Sequence, residues 1–326
     1  MTDAANNPLI LAIPSKGRLK EQCEAWLADS GYTIQASGGA RGYRASIDKL
    51  PQVQVQLLSA ADIAAALEAG EAHLGVTGED LLRERGEGID AKVLLLRALG
   101  FGRADVVVAA PKSWIDVDTM ADLEEVAAAY LARTGRRMRV ATKYLVLTRG
   151  FFGGHGIVDY RIVESGGATE GAPAAGAAEL IVDITSTGAT LEANNLKIPT
   201  DGVILKSEAQ LAASLKAPWT PEQLDVVRGL LRTVEARARA KGLAAVAWPA
   251  EQDEQAQGAI APFLEKGATR RAQGMLTPMT QLFDAANALA AAGIGPAAAS
   301  RPDYVFEPEC AAADALLAKL AIAQGG

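Results

Sequence analysis

Residues 181–195, IVDITSTGATLEANN, carry an apolar run through Asp183 into Thr185, Ser186, Thr187, Gly188, Ala189 and Thr190, and then a helix-like LEANN. These are the residue types of an anion cradle. Short hydroxyls can donate to phosphate oxygens, Gly188 lets backbone approach a ligand closely, and a following helix offers free N–H groups. Asp183, near the strand end, can orient a ribose hydroxyl or help hold a magnesium ion. The same residues also suit a plain capped turn in which Ser186 or Thr190 satisfies backbone N–H groups. From this segment alone both readings stand. It is not a Walker loop, because no lysine follows the glycine.

Four other loops carry groups of similar use. IPSKGRL (13–19) sets Lys16 and Arg18 around Gly17 after the first apolar run. Two cations and a glycine suit a pyrophosphate or triphosphate, or simply a solvated basic loop. GVTGED (75–80) presents Thr77, Gly78 and Asp80; its alternative is a helix N-terminus whose acids complement the dipole. ATKY (141–144) puts Lys143 at another strand end, and ESGGATEGAP (164–173) holds Glu170 in a glycine-rich loop. Loops that follow strands line the ligand site in α/β sheets, so these segments converge on one cleft edge. His73 and His155 are the only histidines and have no close cysteine, which argues against a zinc site. His155, in FFGGHGIV, reads as a loop cap or surface residue.

The elements that must position these loops are legible in the pattern. LILAI (9–13) is a short buried strand, and the next helix carries Leu19, Cys23, Trp26 and Leu27 on one face. VQVQLL (53–58) alternates as a strand does. Ser59 and Asp62 form a capping box that opens AADIAAALEAG, which Gly70 closes. AHLGVTG and EDLLRERG then repeat the strand and helix, predicting a mostly parallel sheet with helices on both faces. A second α/β unit starts near FGRADVVVAAPKSW and continues through RRMRVATKY, a helix near 147–153, VDYRIVES and ELIVDIT. GVILKSEAQLAAS (202–214) predicts a strand and a helix returning to the first unit, and 220–242 a long amphipathic helix. The expected fold is α/β, with two lobes and a ligand cleft between them. Lobe I takes 8–105 and 195–242, lobe II takes 106–194, and 243–326 makes a small C-terminal α/β tail domain.

Composition narrows the function class. At 326 residues and 49% hydrophobic content the chain can bury one large core or two to three smaller ones. A net charge of -7 argues against a nucleic-acid or anionic-membrane binder, while leaving room for a local basic pocket. Two distant cysteines, Cys23 and Cys310, make no disulfide framework and fit a reducing cytoplasm. The first apolar run, about five residues, is shorter than the roughly 7–15 of a secretory h-region. No window approaches the roughly 20 apolar residues of a membrane span. A cytoplasmic location is expected.

Taken in order, IPSKGRL, ADIAAALEAGEAHLGVTGEDLL, RVATKY, ESGGATEGAPAAGAAELIVDITSTGATLEANNL and ILKSEAQL resemble the ATP phosphoribosyltransferase family, over residues from about 9 to about 215. The resemblance implies a two-lobed fold similar to periplasmic binding proteins. It implies transfer of 5-phosphoribose from phosphoribosyl pyrophosphate to N1 of ATP, with magnesium, as the first step of histidine biosynthesis. By the same resemblance, Asp183 and Thr185 to Thr190 hold the 5-phosphate and ribose of the donor. Lys16 and Arg18 neutralise pyrophosphate or triphosphate, and Glu170 lies near the ribose or its magnesium. Thr77, Gly78 and Asp80 border the nucleotide pocket, and Lys143 faces the donor's phosphates. The family occurs in a long form with a regulatory domain and a short form with a separate activating subunit. A homo-oligomer and feedback inhibition by histidine are expected on the same ground. Three departures stand out: Ser15 lies between Pro14 and Lys16, Leu145 follows ATKY where proline is usual, and Ala64 replaces the proline of Asp-Ile-Pro.

Overall fold

A computed structural model describes residues 7–36 and 44–324. The described residues fall into two compact units. One lies within Met1–Ala25, Ile34–Thr220 and Ala318–Gly326; the other comprises Trp26–Thr33 and Pro221–Leu317.

The first unit opens with β1 (Leu9–Pro14), α1 (Gly17–Asp29), β2 (Ile34–Ala36), β3 (Arg44–Ile47) and β4 (Leu50–Leu58). Next come α2 (Ala60–Ala69), β5 (Leu74–Gly78), α3 (Glu79–Arg83) and β6 (Val93–Ala98). Ser59 caps α2 by accepting from the Asp62 N–H, and Gly70 ends it at φ 79. A side chain at Gly70 would strike the Lys216 carbonyl at 2.7 Å, so glycine is required there twice over. The chain then builds a second sheet from β7 (Asp105–Pro111), α4 (Met120–Thr134), β8 (Met138–Thr142), α5 (Leu145–Gly154) and β9 (Tyr160–Glu164). It continues with β10 (Leu180–Thr185), α6 (Ala189–Ala193), β11 (Leu196–Lys197) and β12 (Val203–Leu205) before β13 (Ala209–Ser214) returns to the first sheet.

The first sheet runs β2-β3-β4-β1-β5-β13-β6 and the second β11-β7-β10-β8-β9, with β12 also on β7. Each has its own core. Ile63, Leu67, Leu82, Val93 and Ala212 pack in the first; Val106, Val108, Met120, Val140, Phe152 and Val182 pack in the second. The two lobes expected from sequence are therefore both present within this unit.

Three expectations change. The first sheet is mixed, with parallel ladders only at β1–β4 and β1–β5, because β3 and β4 form a hairpin and β13 enters antiparallel. Residues 209–214 are a strand rather than a helix. Alanine favours helix, but every residue of β13 is buried between β5 and β6, and that burial overrides propensity. The second sheet reaches past residue 194: Leu196 pairs with Pro111 and Val203 with Val107 before the chain crosses back.

The second unit contains α7 (Pro221–Lys241), β14 (Leu243–Ala247), α8 (Asp253–Leu264), β15 (Thr269–Arg271), β16 (Gly274–Pro278), α9 (Leu282–Ala291), β17 (Ala298–Ser300) and the start of α10 (Ala311–Gln324). Its antiparallel sheet runs β15-β16-β14-β17, the order of a ferredoxin-like split βαβ arrangement. Val246, Trp248, Ile260, Met275 and Leu289 form its core. The sequence pattern assigns α7 to lobe I; the helix packs instead with this unit. Val227, Leu230, Leu231 and Val234 bury its apolar face, and Arg237 and Lys241 clasp Asp29 at 2.8 and 2.6 Å.

Candidate active site

The donor-type loop leaves β10. Val182 is buried, Asp183 is half-buried and Ile184 is exposed, because the strand leaves the core toward its C-terminal end. Asp183 Oδ1 accepts from the Ile184 N–H at 2.8 Å. Past the strand, Thr185 Oγ1 accepts the Gly188 N–H at 2.8 Å and Thr187 Oγ1 the Ala189 N–H at 3.4 Å. Gly188 sits at φ 79, and nothing lies within 4 Å of a Cβ placed there. The loop is thus a capped turn in part: two of its N–H groups are satisfied internally, and α6 is only five residues long. Ser186, Thr187, Ala189 and Thr190 remain exposed.

Ser186 Oγ donates to the Arg103 carbonyl at 2.7 Å, tying this loop to the crossover between the lobes. The crossover consists of 99–104 and 206–208, cross-bonded by the Ala104 N–H to the Ser207 carbonyl at 3.0 Å. A polar cavity of about 360 Å³ lies there, lined by Arg103, Asp105, Lys206, Ser207 and Glu208. Within the crossover, a Cβ on Gly102 would meet Leu19 of α1 at 2.8 Å. The start of α1, with Arg18 in its first turn and exposed Lys16 just before it, therefore lies beside the same crossover. Among the described residues neither Lys16 nor Arg18 has an ion-pair partner.

Electrostatics gathers three more of the expected residues. Burial raises the Asp183 carboxyl above its ordinary value; the Ile184 N–H and the charge of Lys143 oppose that, and the charge of Glu170 adds to it. Lys143, Glu170 and Asp183 therefore share one field. Glu170 stands in a one-turn helix at Thr169–Gly171, anchored by buried Thr169, whose hydroxyl is 2.9 Å from Ser165 Oγ. Lys143 is exposed, with its ammonium 5.0 Å from the Tyr144 ring centroid.

Thr77 and Asp80 do not border an open pocket. Thr77 is 0% exposed and donates to the Ala60 carbonyl at 2.7 Å. Asp80 is 4% exposed; its carboxylate accepts from Tyr144 Oη at 2.6 Å and Ser207 Oγ at 2.9 Å, and its own N–H donates to Ser207 Oγ. Burial, then the Asp80 charge and hydrogen bond, drive the Tyr144 hydroxyl far above its ordinary pKa, so it stays protonated as the donor. Gly78 permits this arrangement, since a Cβ there would overlap Asp80 Oδ1 and approach Cγ to 3.3 Å. Glu84 makes a parallel bridge, accepting from the Val146 and Leu147 N–H groups at 2.9 and 3.0 Å at the start of α5.

Sequence reasoning missed Tyr144, Ser207, Arg103 and Lys206. The first two lie inside segments already singled out, ATKY and LKSE, but pairing them with Asp80 needs the fold. As for a metal, no group of three or more His, Cys, Asp or Glu side chains among the described residues could hold one. Asp183 and Glu170, whose charges act on one another, are a sparse donor set that suits magnesium carried largely by substrate phosphates.

Fold and site together define a two-lobed α/β protein whose polar strand-end loops meet at the lobe boundary. The family model for ATP phosphoribosyltransferase (HisG) matches residues 59–235. An ATP phosphoribosyltransferase of Caulobacter vibrioides (strain NA1000 / CB15N) is 66% identical over 309 residues, covering 95% of this chain and 97% of the relative. One from Bradyrhizobium sp. (strain ORS 278) is 51% identical, covering 93% and 96%. A solved chain of the Thermotoga maritima ATP phosphoribosyl transferase (HisG:HisZ) complex superposes at a TM-score of 0.52 with 26% identity, covering 70% of this chain and 98% of that one. The chain belongs to the ATP phosphoribosyltransferase family.

Proposed function

We propose that this protein transfers 5-phosphoribose from phosphoribosyl pyrophosphate to N1 of ATP, releasing pyrophosphate, at the head of histidine biosynthesis. The observation that carries the reading is the loop after β10, where half-buried Asp183, within the electrostatic reach of Lys143 and Glu170, leads into the exposed hydroxyls of Ser186, Thr187 and Thr190 and Ser186 is tied to the crossover. In this reaction the bond from the anomeric carbon to the pyrophosphate oxygen breaks and its electron pair leaves with pyrophosphate. A bond from N1 of adenine to that carbon replaces it. The transition state is oxocarbenium-like, so the protein must stabilise leaving-group charge and hold a weak nucleophile in line. Asp183 and Glu170 take the ribose hydroxyls; the hydroxyl loop takes the 5-phosphate. Lys143, Lys16 and Arg18 supply positive charge for the phosphates. Magnesium, held by the substrate's phosphates with Asp183 or Glu170, supplies further charge neutralisation when bound. No protein nucleophile is required.

The same reading extends to assembly and control. We assign the ferredoxin-like unit a regulatory role, with histidine as the inhibitor and a homo-oligomer as the working form in the cytoplasm. What supports the assignment is that the unit has its own sheet and core, and so can act apart from the two lobes. Among the described residues no helix is long and apolar enough to cross a membrane. The competing arrangement is a separate activating subunit, for which the HisG:HisZ complex of Thermotoga maritima is the precedent. Mixing the protein with ATP, phosphoribosyl pyrophosphate and magnesium should release pyrophosphate, and histidine should suppress it. No release, even with candidate activating subunits added, sinks the enzyme reading; release that histidine leaves unchanged sinks only the regulatory one.

A further inference from the structure

Tyr144 is a buried tyrosine at the lobe boundary, one residue from a cation of the proposed site, and nothing in the reaction above uses it. Three contacts define it. Its hydroxyl donates at 2.6 Å to Asp80, in the first turn of α3 just past β5 of the first sheet. Its N–H donates at 2.9 Å to Thr142 Oγ1, at the end of β8 on the second sheet. Its ring lies under the Lys143 ammonium at 5.0 Å. Asp80 is itself held by Ser207, on the crossover, through both its N–H and its carboxylate. One line of bonded groups therefore runs from the crossover through Ser207, Asp80 and Tyr144 to Lys143, whose charge reaches Asp183.

We propose that Tyr144 is a positioning residue for the donor site: anchored across the lobe boundary by Asp80, its ring is the shelf that holds the Lys143 ammonium toward Asp183 and the donor's phosphates. A lysine has four rotatable bonds and, at an exposed position, no reason to keep one geometry. An aromatic face beneath the ammonium restricts it, because the ring quadrupole attracts the cation. The face can do so only if the ring is fixed, and a buried hydrogen bond to a carboxylate fixes it far better than packing alone. Asp80, closed to ligand, thus acts on the donor site through Tyr144. This rests on the function proposed above.

The test is a double-mutant cycle with a second readout that needs no substrate. Tyr144→Phe should weaken phosphoribosyl pyrophosphate binding, measured by calorimetry, by roughly tenfold, while KM for ATP stays unchanged. In a Lys143→Met background the same Tyr144→Phe change should cost no further donor affinity, even though it lowers the unfolding midpoint equally in both backgrounds. Asp80→Asn, which keeps an acceptor for the Tyr144 hydroxyl, should lose less affinity than Tyr144→Phe. In protein with 13C-labelled lysine, the Lys143 ε resonances should show a ring-current shift that Tyr144→Phe alters. Additive losses in the cycle, or unaltered Lys143 resonances in Tyr144→Phe, would overturn the proposal. Wild-type protein that neither binds the donor nor releases pyrophosphate, but whose Lys143 resonances move as expected, would overturn the function and leave the shelf standing.

Discussion

Gly78→Ala isolates the Asp80 cluster from every other influence on this region. Gly78 has φ -72 and ψ 141, extended backbone that alanine adopts freely. On conformational grounds alone the change should stabilise the protein by about 0.4–1 kcal/mol, since it restricts the unfolded chain. The added methyl, however, would overlap Asp80 Oδ1 and sit 3.3 Å from Cγ, where ordinary contact begins at 3.4 Å. The carboxylate cannot yield without stretching its bonds from Tyr144 at 2.6 Å and Ser207 at 2.9 Å. Losing one such bond to a charged, buried acceptor costs about 1.5–3 kcal/mol. The balance is a destabilisation of roughly 0.5–2.5 kcal/mol, opposite in sign to the conformational expectation. Urea unfolding measures it directly. The double variant Gly78→Ala with Asp80→Ala should be no less stable than Asp80→Ala alone, because the clash partner is gone. Stabilisation by Gly78→Ala, or additive costs in the double variant, would refute the reasoning.

Three further outcomes are expected. Asp183→Asn should abolish donor binding yet raise stability at pH 7, because burial holds the Asp183 carboxyl above its ordinary value and penalises its ionised form in the folded state; the advantage should shrink as pH falls through that raised pKa and vanish below the unfolded one, as urea midpoints across pH would read. Asp29→Asn should do the reverse in the second unit: the Arg237 hydrogen bond, with Lys241, holds this carboxyl below its ordinary value, so the variant's loss of stability should be full at neutral pH and disappear as pH drops through the depressed pKa. Lys16→Met with Arg18→Met should slow pyrophosphate release while leaving the unfolding midpoint near wild type, since neither side chain has an ion-pair partner among the described residues; an unchanged rate would dismiss their role as a charge clamp.

The sequence disclosed the strand ends and much less of what faces them. β1, β4, β5, β8, β9 and β10 each follow from an apolar run or an alternation bounded by turn residues. The loops after them were legible because short hydroxylated, glycine and charged residues cluster there. β13 was not, because its alanines carry helix propensity and only burial between two strands reverses it. The ownership of α7 was hidden too: its amphipathic pattern says that one face is buried, not against which element. The ion pair from Arg237 to Asp29 spans 208 residues of chain, and no local pattern encodes that. Residues 37–43, between β2 and β3, lie outside the described residues.

Asp80 and Asp183 show why residue type and loop position fix a site only halfway. Both are aspartates at the lobe-boundary end of a strand, and both read from sequence as ligand contacts. Asp80 is 4% exposed and each oxygen of its carboxylate already accepts a hydrogen bond, from Tyr144 and from Ser207, so burial closes it to a substrate. Asp183 has one hydrogen bond, from its neighbour's N–H, and partial burial that makes its charge costly. A carboxylate left underbonded in a half-buried position gains most from a ligand hydroxyl or a metal, because either supplies the solvation it has lost. That deficit is why the donor-site role proposed above falls to Asp183 and not to Asp80. The satisfied carboxylate at Asp80 instead makes a rigid joint, through which the first lobe sets the position of a cation on the second.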